Sequence, residues 1–244
     1  MTRRRWIADE WDETSARLSG AQAAHLARVL RARAGMEFDI VVGDRVRHGV
    51  IVEISSTYVD FSLGEEIDAS LALPVTLLLA VFKFDRMEWA IEKATELGVA
   101  TIVPVLARRT EKHLTQAAAA RVERWRRIAR EAAQQSRRSD TVVIADVMSL
   151  KDAAREGLEA IRLLLAEREQ RTTLRDGLQE YEINPGGDPS RQIKLAVGPE
   201  GGWTAEEETL FADEGWKPVS LGPRILRAET AAIAAISVVA ALLQ

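Results

Sequence analysis

From Pro74 onward, short apolar runs alternate with stretches of helical periodicity, and this alternation restricts the possible folds more than any other feature. Residues 75–82 are continuously apolar, as in a strand covered on both faces of its sheet. Alternating strands and helices predict an α/β layer fold with a mostly parallel sheet. Further strands are expected at residues 100–106, 141–148, 161–166, 193–197 and 218–221.

Helices are expected between these strands, and their ends carry capping signals. The first helix has Asp85 as its expected N-cap, Glu88 three residues later and Gly98 at its end. A later helix begins at Thr204, which has capping-box spacing to Glu207. Other helices are predicted at residues 117–137, 151–157, 204–214 and 229–243.

The first 68 residues have a different pattern. Residues 37–42, 46–54 and 57–63 are rich in β-forming side chains, and turn signals separate them. A helical pattern over residues 25–33 precedes them. We therefore expect two domains, a small β-barrel-like module at 1–68 and an α/β domain at 69–244.

Composition excludes several kinds of chemistry. The 244 residues contain no Cys, which excludes disulfides, thiolate metal sites and cysteine nucleophiles, and the three His lack metal-ligand spacing. The start of the chain lacks the apolar core of a signal peptide. The longest apolar run, residues 231–243, is shorter than the roughly 20 residues that span a bilayer. We expect a cytoplasmic protein without a metal or a membrane partner.

Charge is distributed unevenly along the chain. The formal net charge is −4, yet residues 108–138 hold ten Lys and Arg against three Glu. A local positive patch can bind a phosphate backbone even on an acidic protein, because the field near a surface is set locally. A solvated basic helix fits the same counts, so both interpretations stay open.

The glycine-rich segment at 198–202, Gly-Pro-Glu-Gly-Gly, is the most informative motif. It follows a predicted buried strand, and ligands in open α/β sheets bind beyond the carboxyl ends of strands. The segment matches neither the dinucleotide nor the P-loop pattern, and Glu200 would repel a phosphate. A ligand with hydroxyls, an amino group or a cationic centre fits better. The alternative is a tight connection without a ligand.

Two other segments place charges at predicted strand ends. Arg224, Arg227 and Glu229 stand where the chain returns to an apolar helix, and burying charge there requires a partner or a site. A surface ion pair beside a helix N-terminus is the simpler alternative. Lys83 and Arg86 follow the first strand of the α/β region, where a solvated helix face is the simpler alternative.

Together these motifs resemble the RsmE-type 16S rRNA (uracil-N3)-methyltransferases, a branch of the SPOUT superfamily. The most specific part is the 198–202 segment followed about twenty residues later by Leu-Gly-Pro-Arg-Ile-Leu-Arg at 221–227. Other matching pieces occur in order along nearly the whole chain, at residues 3–6, 25–31, 83–89, 93–99 and 131–137. Trp6 and Trp203 stand where the family usually has Phe, Gln134 where it often has Glu, and Ala228 where it commonly has Thr.

The resemblance implies a fold, a cofactor and partners. It implies a PUA-like β-barrel for RNA at 1–68 and, at 69–244, a SPOUT domain with a C-terminal deep trefoil knot. Knots are almost absent from other folds, so strand and helix patterns alone would not predict one. It also implies S-adenosyl-L-methionine (SAM) as methyl donor, a homodimer, and 16S rRNA within the small ribosomal subunit as substrate.

The resemblance also assigns residues to roles. The catalytic candidates are Arg227, Arg224 and Arg86, because a positioned Arg stabilises the negative charge that develops on the uracil carbonyl oxygens. The cofactor-binding candidates are Leu164, Leu165, Glu167, Gly198, Pro199, Glu200, Gly201, Gly202, Leu221, Gly222, Ile225, Leu226 and Arg227. The RNA-binding candidates are Arg3, Arg4, Arg5, Arg28, Arg31, Lys83, Arg137 and Arg138.

Two alternatives remain open on the sequence. A SPOUT methyltransferase acting on a ribose 2′-OH or on tRNA would carry similar loops. A catalytically silent RNA-binding or ribosome-assembly factor would share the fold, although the intact loops argue for a bound ligand. No His lies in the motifs, so the sequence names no general base.

Overall fold

The computed structural model describes residues 5–43, 45–67, 72–136, 138, 140, 142–157, 159–183 and 191–243. The chain forms two compact units. The first unit comprises Met1–Leu71 and Ala133–Thr141, and the second comprises Ala72–Ala132 and Val142–Gln244. The expected boundary after residue 68 lies at residues outside the described part.

The first unit is built on a six-stranded sheet with the strand order β1-β4-β5-β6-β3-β2. All neighbouring strands are antiparallel except β1 and β4, which are parallel. A short helix, α1 (Gly20–Ala24), continues into a π-helical turn at His25–Val29. The strands are β1 (Arg5–Ile7), β2 (Glu10–Trp11), β3 (Ser15–Ser19), β4 (Glu37–Val42), β5 (Arg45–Ile54) and β6 (Tyr58–Ile67).

Every second side chain of these strands points inward, and these side chains form the core of the first unit. Leu18, Ile40 and Phe61 are buried on its inner side, together with Leu26 of the π-helical turn. Gly49 is required in β5, since a Cβ there would lie 2.4 Å from a side-chain carbon of Ile40. The sequence predicted β4, β5 and β6 but missed β1, β2 and β3, which are short or polar. The helix expected at 25–33 begins earlier and ends earlier, since the helical segment runs from Gly20 to Val29.

The second unit contains a seven-stranded sheet in which every pair is parallel. The strand order is β10-β8-β7-β12-β11-β13, and β9 also pairs with β8. This confirms the predicted α/β class. The strands are β7 (Leu73–Ala80), β8 (Val99–Leu106), β9 (Val143–Ile144), β10 (Met148–Ser149), β11 (Ile161–Leu165), β12 (Ile193–Val197) and β13 (Lys217–Val219).

Helices connect and cover the strands of the second unit. α8 packs on α2, on α6, and on the strands β7 and β12. None of the helices in the described ranges is long and apolar enough to cross a membrane. The helices are α2 (Phe84–Glu96), α3 (Lys112–Ala117), a 3₁₀ turn (Ala119–Arg121), α4 (Val122–Gln135), α5 (Leu150–Arg155), α6 (Leu174–Gln179), α7 (Ala205–Asp213) and α8 (Ala228–Leu243).

The cap expected at Asp85 is wrong. The N-cap position of α2 is Lys83, and Asp85 lies in the first turn, where a carboxylate still suits the helix dipole. Glu88 does not cap the helix, because its carboxylate accepts two hydrogen bonds from Arg124, at 2.6 and 2.8 Å. Gly98 does end the helix, with φ +101°.

The capping box of α7 is confirmed. The backbone N–H of Thr204 donates to Glu207 at 2.8 Å, and the backbone N–H of Glu207 donates to the Thr204 hydroxyl at 3.3 Å. Two other predicted elements are continuous where the structure is interrupted. The strand expected at 141–148 is two short pieces, and the helix at 117–137 is divided by the 3₁₀ turn. The sequence missed α6 altogether.

Three aromatic rings in edge-to-face contact connect α7 to the sheet of the second unit. Phe211 is fully buried between Trp203 and Trp216, with ring centroids 5.0 and 5.1 Å away. We expect Phe211→Ala to lower the free energy of unfolding by about 3–5 kcal/mol, since it leaves a cavity between two large rings. Urea unfolding followed by tryptophan fluorescence measures this. Val143→Ala, at an exposed site, serves as control, and a loss below about 1 kcal/mol for Phe211→Ala would contradict the expected packing.

Candidate functional site

Three loops meet at one edge of the sheet in the second unit because β11 lies between β12 and β13. All three strands are parallel, with Leu164 opposite Ala196 on one side and Pro218 on the other. Their carboxyl ends therefore lie side by side. The loops that follow them run through residues 166–172, 198–204 and 220–227. This is the position where open α/β sheets bind ligands.

The three loops and the N-terminal turn of α8 enclose a cavity of about 300 Å³. This volume is at the lower end of the range for small-molecule sites. Apolar and polar groups both line it. The lining residues are Leu165, Ala166, Glu167, Glu169, Gln170, Val197, Gly198, Pro199, Glu200, Gly202, Trp203, Val219, Ser220, Leu221, Gly222, Pro223, Arg224, Ile225, Leu226, Ala228 and Ala231.

Trp203 and two glycines shape the wall formed by the 198–204 loop. A Cβ at Gly198 would lie 3.2 Å from the Trp203 indole, so a larger residue there would press on this ring. Gly202 has φ +68°, a conformation that side chains disfavour. Its Cα faces the Glu167 carboxyl group, 3.7 Å from where a Cβ would lie. The loop therefore presents backbone groups to the cavity.

Arg109 fixes the same loop from outside the cavity. Its guanidinium donates hydrogen bonds to the carbonyl oxygens of Gly201 and, at 3.2 Å, Trp203. The neighbouring backbone N–H of Arg108 donates to Glu207 at 2.7 Å. Residues 108 and 109 thus hold both the end of the loop and the start of α7. Sequence reasoning missed Arg109, because no motif includes it.

The carboxylate of Glu200 is neutralised by cations at the start of α2. Arg86 donates to Glu200 at 2.9 Å, and the Lys83 ammonium lies 3.7 Å from the same carboxylate. Arg86 also lies 3.9 Å from Glu229, which is buried and has one carboxylate oxygen without a hydrogen-bond partner. Arg86 therefore joins the glycine-rich loop to the first turn of α8.

Two acidic residues of the 166–172 loop lie on the cavity wall and differ in their partners. Glu169 accepts backbone N–H groups of Thr172 and Arg171, and these bonds hold the pKa of its carboxyl group below its ordinary value. Glu169 thereby orders the loop. Glu167 is exposed and makes no ion pair within the described ranges. It is a negative charge open to a ligand.

The structure brings ten of the thirteen cofactor candidates together around this cavity. Three others lie elsewhere. Leu164 is a core residue that lines a separate, smaller cavity, Gly201 faces Arg109, and Arg227 is exposed outside the lining set. The ten that line the cavity are Leu165, Glu167, Gly198, Pro199, Glu200, Gly202, Leu221, Gly222, Ile225 and Leu226.

The three catalytic candidates occupy different positions. Arg224 lines the cavity, is exposed, and has no acidic partner in the described part of the chain. Arg227 is also exposed and has no acidic partner there. Arg86 is engaged with Glu200 and does not line the cavity. Of the three, Arg224 is best placed to reach a substrate at the cavity mouth.

The RNA candidates divide by exposure. Arg28 and Arg31 are exposed beside the π-helical turn, whereas only 13% of the Arg5 side chain is exposed and it lies 3.7 Å from Asp39. Arg138 is buried and paired with Asp140, so it presents little surface to RNA. Lys83 is half-exposed but close to Glu200. Arg3, Arg4 and Arg137 lie outside the described residues.

Some arginines in the basic stretch at 108–138 are paired with acidic residues, which makes them less available to a phosphate backbone than the composition indicates. Arg124 pairs with Glu88, and Arg126 pairs with both Glu123 and Asp146. These pairs favour the solvated-helix interpretation for this part of the chain. No group of three His, Cys, Asp or Glu in the described ranges is arranged to hold a metal ion.

Comparison with known proteins supplies the chemical context of the site. A family model described as an RNA methyltransferase domain matches residues 69–240. The ribosomal RNA small subunit methyltransferase E of Synechocystis is 34% identical over 95% of this chain and 75% of that protein. The enzyme of the same name from Bacillus subtilis is 29% identical over 91% of this chain and 88% of that protein.

A solved structure resembles the whole chain. It is a ribosomal RNA small subunit methyltransferase E from Neisseria gonorrhoeae bound to S-adenosyl methionine. The TM-score is 0.81 at 27% identity, and the match covers 97% of this chain and 96% of that one. The similarity therefore extends over both units.

We expect Arg109→Met to loosen the wall of the cavity. It removes two hydrogen bonds to loop carbonyls, each contributing about 0.5–1.5 kcal/mol. Hydrogen–deuterium exchange at residues 200–203 should accelerate about three- to tenfold. Arg108→Met is the matched control, because that side chain makes only an exposed 3.8 Å pair with Glu206. Equal exchange in the two variants would show that Arg109 does not hold the loop.

Proposed function

This chain belongs to the family of ribosomal RNA small subunit methyltransferases E, and from that premise we propose how its site carries out the reaction. It is a SAM-dependent methyltransferase acting on 16S rRNA, and the acceptor is N3 of a uridine. The observation that carries the proposal is the convergence of three loops of the matched domain on one cavity, with a carboxylate and an arginine that have no ion-pair partner among the described residues.

The chemistry of the cavity fits SAM. The donor carries an amino group, ribose hydroxyls and a sulfonium, and it carries no phosphate. Glu167 offers an uncompensated carboxylate to the cationic and hydroxyl groups, and the 198–202 segment offers backbone groups. Leu165 and Leu226 supply apolar surface for the adenine. When bound, SAM supplies an activated methyl group.

The main task of the protein is to align the acceptor nitrogen with this methyl group. Holding two reactants in the correct geometry can contribute about 7–11 kcal/mol to lowering a barrier. Loss of the N3 proton places negative charge on the flanking carbonyl oxygens of the uracil. The unpaired guanidinium of Arg224, at the mouth of the cavity, is positioned to stabilise that charge.

Arg86 acts as a positioning residue in this proposal. Its bond to Glu200 and its proximity to Glu229 hold the glycine-rich loop against α8. The charge of Glu200 is already compensated by Arg86 and Lys83. Recognition of the methyl donor therefore depends on Glu167 and on backbone groups of the loop. Arg227 lies outside the cavity and is assigned to RNA contact.

We propose that the second unit forms the deep trefoil knot of the SPOUT fold. β12 lies between β7 and β11, although it follows both in sequence, and β13 adds beyond β11. The chain then returns to pack α8 on β7 and β12. Such a return across earlier strands supports a threaded path.

The first unit, a largely antiparallel six-stranded sheet, is proposed as the PUA-like barrel that binds RNA through Arg28 and Arg31.

A homodimer is proposed from the surface of two helices. After Glu229, α8 contains no charged residue, yet Ile233 and Val238 are only partly buried. Trp89 of α2 is 46% exposed, and α2 packs on α8. A second copy would cover this apolar surface. A ribosomal substrate supports the cytoplasm as the proposed location of the reaction.

Gly202 provides a test of the cofactor site. We expect Gly202→Ala to weaken SAM binding about tenfold or more in calorimetry, because the added Cβ projects from the cavity wall towards Glu167. Gly215→Ala is the control, since Gly215 has a similar φ of +74° at the end of α7. Both variants lose stability from backbone strain. Equal SAM affinity in the two variants would refute the placement.

The reaction itself is tested by nucleoside mass spectrometry. Purified protein is incubated with SAM and unmodified small ribosomal subunits, and the digested RNA is analysed for methylated nucleosides. We expect 3-methyluridine, and we expect Arg224→Ala to reduce its rate of formation about 10²–10³-fold while SAM affinity changes less than threefold. Arg175→Ala, an exposed arginine of α6, is the control.

Other outcomes separate the alternatives. A 2′-O-methylated nucleoside would assign the chain to the ribose-modifying branch. Absence of both a product and SAM binding would indicate a catalytically silent RNA-binding factor. An equal loss of SAM affinity and turnover in Arg224→Ala would assign that arginine to donor binding.

A further inference from the structure

Ile225 is the most exposed large apolar side chain in the described ranges. Its exposed fraction is 82%, compared with 65% for Val29 and 62% for Val52. Single exposed apolar residues are common on protein surfaces. Ile225 differs in its position, because it lies on the rim of the cavity assigned above to the methyl donor.

The loop that carries Ile225 is held at both ends. The Ser220 hydroxyl accepts the backbone N–H of Gly222 at 3.1 Å and donates to the Gly222 carbonyl at 3.2 Å. At the other end, the Arg227 carbonyl accepts the N–H of Ala231 at 2.8 Å. Ile225 is therefore exposed in a turn whose two ends are held by hydrogen bonds.

Two unpaired cations flank this side chain. Arg224 and Arg227 are both exposed, and neither lies within ion-pair distance of an acidic residue in the described part of the molecule. One exposed apolar side chain and two guanidinium groups on the same short turn complement a molecule with an apolar face and nearby negative charge. A nucleobase attached to a phosphate backbone has both properties.

We propose that Ile225 packs against the acceptor nucleotide and holds the uracil extruded at the mouth of the cavity. This rests on the proposed function. A base inside a helix cannot reach a buried methyl donor, so it must leave its stack. Proteins that bend nucleic acids commonly insert an apolar side chain such as Ile or Leu between stacked bases, which partly unstacks them. Arg227 then contacts the adjacent phosphate, and the Ile225 side chain serves the acceptor and not the donor.

The first test compares three variants in methylation of small ribosomal subunits. Ile225→Ser is expected to lower kcat/KM for the subunit at least about tenfold, whereas Ile225→Leu, which keeps the apolar surface, stays within about threefold. Val143→Ser, an exposed apolar site in the same unit, stays within about twofold. SAM affinity of Ile225→Ser stays within about twofold of the unchanged protein.

The second test separates extrusion of the base from ordinary surface contact. The uridine modified by the unchanged protein is placed in a synthetic RNA with an abasic nucleotide beside it, so that the uridine is already unstacked. We expect this RNA to restore most of the activity of Ile225→Ser. An equal defect on stacked and unstacked RNA would overturn the wedge role.

Other results would also overturn the inference. A parallel loss of SAM affinity in Ile225→Ser would assign the side chain to the donor. Loss of the dimer in sedimentation would assign it to contact with a second copy. Full activity of Ile225→Ser would show that the Ile225 side chain has no role in methylation. Failure of the proposed function is distinct, because the unchanged protein would then form no 3-methyluridine at all.

Discussion

The parallel pairing of β11 with β12 on one side and β13 on the other creates the site. It brings three loops that are distant in sequence to one edge of the sheet, where they enclose a single cavity. The loops are then fixed by local bonds: Glu169 orders the first, Arg109 holds the second, and Ser220 anchors the third. The sheet gives the cavity its location, and these side chains give it its shape.

Some charged side chains at this edge of the sheet stabilise the loops, and others are available to a ligand. Glu200 is compensated by Arg86 and Lys83, so its main effect is to hold the glycine-rich loop. Glu167 on the wall and Arg224 at the mouth have no partner of opposite charge in the described ranges. The free negative charge suits a cationic donor, and the free positive charge suits a uracil that becomes anionic as it loses its N3 proton.

Local signals in the sequence predicted the parts of the fold that depend on local bonds. The capping box at Thr204 and the buried strand before it could be identified because neighbouring residues determine both. The cap expected at Asp85 is wrong because the helix begins one residue before it, at Phe84, and Glu88 binds Arg124, which lies far away in sequence. The role of Arg109 likewise depends on contacts with residues more than ninety positions away, which no spacing rule contains.

We propose that the cavity between the three loops holds the methyl donor. A crystal structure of the protein with SAM tests it most directly. We expect SAM to lie between Glu167, Gly202 and Leu226, with its methyl group directed towards the mouth at Arg224. SAM bound elsewhere, such as in the smaller cavity lined by Leu164 and Trp216, would contradict it.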